Sequence, residues 1–210
     1  MSDALDRIVA GNRVYAQRTS EHDPNTFVEM GRGQAPEILW IGCADSRVPE
    51  TTICHCKPGD IFVHRNIANC VHADDLNVAA VVEYAVAHLK VKKVVICGHT
   101  KCGGANASLA DADLGVTLNT WLHPVRELRR KHKAELEQLA DDDARATRVA
   151  ELNVQQGIEV VKQHPTVRQA VRDRGLTVHG LIYDIPAGQL RLLDDTRATG
   201  GSGLWTPANH

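Results

Sequence analysis

Lys93-Val94-Val95-Ile96-Cys97-Gly98-His99-Thr100-Lys101-Cys102-Gly103-Gly104 is the stretch on which the fold turns. After its leading lysine, residues 94–97 form an unbroken apolar run, the pattern of a strand covered on both faces in a parallel sheet. Gly98 is expected to end that strand, which puts His99 and Cys102 at its carboxyl end. An earlier stretch, Glu37-Ile38-Leu39-Trp40-Ile41-Gly42, predicts a second short buried strand, with Cys43-Ala44-Asp45-Ser46-Arg47 just beyond it. In open α/β sheets ligands bind outside the carboxyl ends of the strands. Two strands therefore deliver Cys43, His99 and Cys102 to one rim.

Working outward, Ile61 to Arg65 predicts another strand after the Pro58-Gly59 turn, and residues 76–89 predict a helix with Asp74 or Asp75 as its cap. Helical spacing follows at 104–110, 117–139, 144–163 and 165–173. Residues 177–184 and 189–193 return to strand character around Pro186-Ala187-Gly188, as an edge hairpin. At the other end, residues 3–18 carry apolar positions at helical spacing and lead into a polar loop, 19–26. The expectation is an α/β fold with a mainly parallel central sheet flanked by helices. Residues 1–195 make one domain, with 1–26 as a helical arm, and 196–210 are a tail containing Gly-Gly-Ser-Gly and Trp205.

Composition narrows the partners. The 210 residues are 43% hydrophobic and 24% charged, enough to bury one core, and the formal net charge is −2. Nucleic acid and anionic membrane surfaces both need a concentrated positive field, which the chain lacks. Its basic run from Arg126 to Lys133 is interrupted by Glu127 and followed by Glu135 and Glu137, a solvated helix face. No apolar run approaches the ~20 residues of a membrane span. Acids at Asp3 and Asp6 do not suit a signal peptide or a mitochondrial presequence, so the six cysteines are expected as reduced thiols in the cytoplasm.

Two thiolates and one imidazole suit Zn²⁺, and three protein donors leave the fourth tetrahedral position open, the arrangement of a catalytic rather than a structural site. Cys54-His55-Cys56 offers a further donor set, on the connection between the first two strands. Asp45 and Arg47, two apart on the turn after Cys43, read either as a surface ion pair of small worth or as a carboxylate aimed by a guanidinium fork.

The C-x-D-x-R segment holding Cys43 and the H-x-x-C segment holding His99 and Cys102 resemble the β-class carbonic anhydrases. The resemblance runs from about residue 4 to about residue 195. It takes in Gln34 in Gly-Gln-Ala-Pro, Leu39 to Gly42, Pro58-Gly59-Asp60, His64 to Asn69, Glu83-Tyr84-Ala85 and Gly180 to Asp184. It implies one zinc per chain on Cys43, His99 and Cys102, and reversible hydration of carbon dioxide to bicarbonate and a proton. Asp45 and Arg47 are the implied catalytic dyad, with Asp45 able to swing onto the metal and switch the enzyme off. Gln34, Phe62, Tyr84 and the backbone at Gly103 are the implied substrate pocket, built partly by a neighbouring subunit. Trp40, Arg65 and Tyr183 are the implied regulatory bicarbonate site. The same resemblance implies an arm packed on a partner subunit in a homodimer or homotetramer. Carbon disulfide hydrolysis on the same scaffold, and a non-catalytic zinc scaffold or thiol sensor, are the alternatives.

Overall fold

The computed structural model describes residues 3–193, and these part between Ala35 and Pro36 into two compact units. The expected tail, 196–210 with Trp205, lies outside the described residues. In the first unit α1 (Ala4–His22) and α2 (Thr26–Met30) are joined by a turn at Asp23. The Asp23 carboxylate accepts from Asn25 N (2.9 Å) and Thr26 Oγ1 (3.0 Å). Helix thus runs into the polar stretch expected as loop, because Asp23 is the residue that stops α1 and starts α2. Tyr15 meets Phe27 edge-on at 6.0 Å between ring centroids. Even so, α1 buries none of its residues in its own chain, and Leu5 and Ile8 are 64% and 69% exposed.

The second unit is built on β1 (Ile38–Cys43), α3 (Glu50–Ile53), β2 (Ile61–Asn66), α4 (Leu76–Glu83), β3 (Lys93–His99) and α5 (Gly103–Ala107). It continues with α6 (Val116–Trp121), α7 (His123–Lys131), α8 (Lys133–Leu136), α9 (Asp142–Gln163), α10 (Pro165–Arg174), β4 (Thr177–Asp184) and β5 (Gln189–Leu192). The sheet order is β2-β1-β3-β4-β5, parallel except for the β4–β5 hairpin at its edge. From β1 the chain first goes to β2 on one side and then to β3 on the other. The order reverses between β1 and β3, and that is where such sheets open a crevice at their carboxyl ends.

Both faces of the sheet are covered, as the apolar runs of β1 and β3 require. On one face α9 lies across β3 and β4 through Ala150, Val154 and Ile158, spaced at four residues. Gly98 and Gly180 make that approach possible: a Cβ at either would stand within 3.0 Å of Val154. On the other face Trp40, Val95 and Cys97 form a smaller cluster with Ile53, Cys54, Leu181 and Tyr183. Asp75 rather than Asp74 caps α4, accepting from Asn77 N at 2.9 Å. α4 then widens into an i→i+5 turn, with Leu89 N donating to Tyr84 O at 3.1 Å.

The single helix expected over 117–139 is three pieces, α6, α7 and α8. Pro124 has no N–H to give the Thr120 carbonyl, so the run breaks before it. β3 also runs one residue past Gly98, to His99. No helix among the described residues is long and apolar enough to cross a membrane.

Candidate metal centre

Cys43 closes β1, His99 closes β3, and Cys102 lies three residues further on, at the amino end of α5. Gly42 pairs with Cys97, so the first ligand and the later two come out at the same rim. All three are buried, and their donor atoms lie within 4.8 Å of one another. Tetrahedral zinc with sulfur and nitrogen at its usual bond lengths spaces its donors by roughly 3.5 to 3.8 Å, so the set needs only a slight contraction to hold it.

The ring of His99 is already oriented for a metal. Its Nδ1 is 2.8 Å from the Thr100 carbonyl, which as an acceptor fixes the proton there and leaves Nε2 with its lone pair. That Nε2 is buried and has no hydrogen-bond partner. With the Cys43 and Cys102 sulfurs close by, this nitrogen is placed to share a ligand with them. Burial opposes a charge on His99, but the Cys43 sulfur, the Thr100 carbonyl and Asp45 outweigh it and raise its pKa. The hydrogen bond from Cys102 draws Cys43 down to about 4, against burial and with help from His99, and the same bond and burial push Cys102 up. One sulfur ionises at the other's expense, a conflict that a divalent cation between them removes. The donor set therefore fits zinc.

Asp45 stands next to this set, its Oδ2 3.9 Å from His99 Nε2. Arg47 holds it by three bonds: Nε to Oδ1 at 3.0 Å, Nη2 to Oδ2 at 2.7 Å, and the backbone N to Oδ1 at 2.9 Å. These bonds keep the carboxyl well below the ordinary carboxylate range, partial burial opposing them. Arg47 Nη2 also donates to Lys101 O at 3.1 Å, tying the first motif to the second. Lys101 sits at φ 58°, a left-handed conformation uncommon outside glycine, and that turn presents its carbonyl. Sequence reading missed Lys101 and Thr100, because both contribute backbone atoms, which leave no mark in residue type.

The remaining expected residues fall into separate groups. Phe62 and Tyr84 pair at 5.7 Å between centroids. Phe62 is opposite Leu39, four residues back from the Cys43–Asn66 pair, so it lies about 13 Å down the strand from the metal rim. The structure therefore does not bring this pair to its own chain's centre. Gly103 begins α5 directly after Cys102. Gln34 lies in the first unit. Trp40, Arg65 and Tyr183 share one sheet face: Trp40 and Tyr183 pack in the smaller cluster, and Arg65 pairs with Gly42, where the missing side chain leaves room for the Trp40 indole nitrogen. Arg65 already donates to Cys43 O (2.8 Å) and Asp45 O (2.5 Å), with Glu50 at 3.8 Å. All six cysteines are free thiols.

Comparison with known proteins agrees with this geometry. The profile of the family described as "Carbonic anhydrase" matches residues 38–190. A carbonic anhydrase of Emericella nidulans is 43% identical over 190 residues, covering 90% of this chain and 83% of that protein. A crystal structure among two tetrameric β-carbonic anhydrases of Sordaria macrospora superposes with a TM-score of 0.90 at 48% identity, covering 91% of this chain and 98% of that one. The β-carbonic anhydrase of Aspergillus fumigatus gives 0.89 at 52% identity, with 91% of each chain covered. Sequence, fold and the buried donor set together make this chain a member of the β-class carbonic anhydrase family.

Proposed function

We propose that this chain is a zinc carbonic anhydrase that hydrates carbon dioxide reversibly to bicarbonate and a proton. The observation that carries the reading is a buried Cys43–His99–Cys102 donor set beside a carboxylate locked by Arg47. Zinc bound there supplies a Lewis acid that makes water a nucleophile near neutral pH. Asp45, ionised and acceptor-only, takes a hydrogen bond only from an oxygen that still carries a proton. It thereby turns that oxygen's lone pair toward the carbon of carbon dioxide. With the metal bound, that oxygen would add to the carbon as one C=O electron pair moved onto oxygen, bicarbonate would leave in exchange for water, and one proton would pass to solvent. Arg47 fixes the angle of Asp45, and the Thr100 carbonyl fixes that of His99. Stopped-flow hydration with zinc determination tests this: about one zinc per chain and rapid hydration are expected, and a fully active metal-free protein overturns it. Carbon disulfide hydrolysis or a silent scaffold would show as zinc without carbon dioxide turnover. The intact Asp45–Arg47 clamp speaks against a silent scaffold.

Gln34, Phe62, Tyr84 and the Gly103 N–H form the substrate pocket in this reading. With Phe62 about 13 Å along the sheet from its own centre and Tyr84 stacked near it, they serve a partner's, so the working unit is a homodimer or a dimer of dimers. The Sordaria macrospora relatives are tetrameric, and the exposed apolar positions of α1 supply a surface for a partner. Six free thiols accord with a reducing cytoplasm.

Regulation belongs to the same proposal. Bicarbonate between Trp40, Arg65 and Tyr183 would draw Arg65 from the Cys43 and Asp45 carbonyls, loosen the turn and let Asp45 leave Arg47 for the metal position. Tyr183→Phe is expected to keep its zinc and lose bicarbonate inhibition. Unchanged inhibition in that variant removes the regulatory role and leaves the enzyme.

A further inference from the structure

At the end of the sheet away from the metal, a cleft of about 1080 Å³ opens between α9, α10 and the first residues of β3 and β4. β3 runs from Lys93 in this cleft to His99 at the metal rim, a span of about 20 Å. The two sites are separate. The apolar surface of the cleft comes chiefly from Val171 and Leu192, laid over the buried Ile158 and Leu176 as a floor, and the rim is basic. Lys93 stands on β3, Lys162 on α9, and Arg168 and Arg172 on α10. Glu159 is the one carboxylate among the described lining residues, and it is already paired with Lys162 at 3.3 Å. Among the described lining residues, four cations against one anion leave a surplus of three positive charges.

The two arginines decide what this surplus is for. Each of the other arginines described in this unit, from Arg47 to Arg191, donates side-chain hydrogen bonds. The guanidinium groups of Arg168 and Arg172 have no partner among the described residues. They are four apart on α10, so they project from one face as a pair of forks suited to phosphate oxygens. We propose that this cleft binds a nucleoside di- or triphosphate, with the phosphate chain between the arginines and the two lysines and the base on the apolar floor. A lone carboxylate or bicarbonate is too small to meet cations on three walls. A free phosphate leaves the floor bare. The volume suits a ligand of nucleotide size.

Isothermal titration of the zinc-loaded full chain with ADP, at two salt concentrations, tests this. One site per chain is expected, with weaker binding at the higher salt. The double variant Arg168→Ala, Arg172→Ala should lose at least about tenfold in affinity, since each fork supplies charge-assisted bonds. Both side chains are exposed, so folding and hydration should be unaffected. Pyrophosphate should bind at least about fivefold more weakly than ADP, because the floor contributes through the base. No binding, an affinity unchanged in the double variant, or equal affinity for pyrophosphate overturns the proposal. A change of oligomeric state in the double variant, by light scattering, also overturns it and makes the cleft an interface between copies of the chain.

Discussion

Asp45 shows how three bonds from one neighbour define a working side chain. Its pKa is depressed by Arg47, so the clamp is intact above the ordinary carboxylate pKa near ~3.9 and is lost only as pH falls through the lower folded value. Any change in turnover between neutral and alkaline pH therefore comes from another group. Two thiolate donors would offset the charge of Zn²⁺, so water activated there would give up its proton less readily than at a three-histidine zinc, where the pKa is about 7. Hydration is expected to rise on the alkaline side of neutrality in a stopped-flow pH profile. Asp45→Asn should retain zinc and lose roughly a hundredfold or more in kcat, whereas Cys43→Ser should lose metal and activity together. Metal affinity carries its own pH signature. Cys102 and His99 have raised pKa values in the metal-free chain and hold protons that the metal must displace. Zinc affinity should rise by at least about tenfold per pH unit from 6 to 7 in a chelator competition, one proton released giving that slope.

Gly98 illustrates what the pattern of elements reveals and what it conceals. Read from sequence, it is a strand terminator, and it does mark the place where ligands begin. In the structure β3 continues through it, and its lack of a side chain serves the far side of the sheet, where Val154 and Ile182 close over it. A Cβ there would stand 2.9 Å from Ile182 Cδ1 and 3.0 Å from Val154 Cγ2, both inside the core. Gly98→Ala is expected to cost about 1 to 3 kcal/mol in urea unfolding, and to weaken zinc binding by displacing His99. The strands were legible because their apolar runs are continuous, and α9 because its apolar positions recur every three or four residues. The first break in 117–139 was carried by Pro124 alone, against a helical pattern on either side of it, and the second, at His132, has no residue that marks it. Backbone contributions, the Thr100 and Lys101 carbonyls above all, have no sequence signature.

At the scale of the whole molecule, the first unit poses the plainest question. Helix α1 keeps Leu5, Ile8, Val9 and Val14 at the surface of its own chain, an apolar stripe whose stability depends on what packs against it. Removing residues 1–18 should lower the oligomeric mass in light scattering and reduce both thermal stability and hydration. A fully active truncated monomer would contradict that. On the proposed reading the location of Phe62 and Tyr84 makes the same demand, since a pocket shared between two chains would have no footprint in the spacing of one. The reversal of strand order between β1 and β3 has a bearing on synthesis. The first sulfur leaves the ribosome long before the imidazole and the second sulfur, and the three meet only when β3 has docked against β1 on the side that β2 does not occupy. A chain paired in the wrong order cannot gather the trio. Zinc content thus serves as a certificate of correct threading, and a preparation that takes up metal stoichiometrically has passed that inspection whatever its turnover.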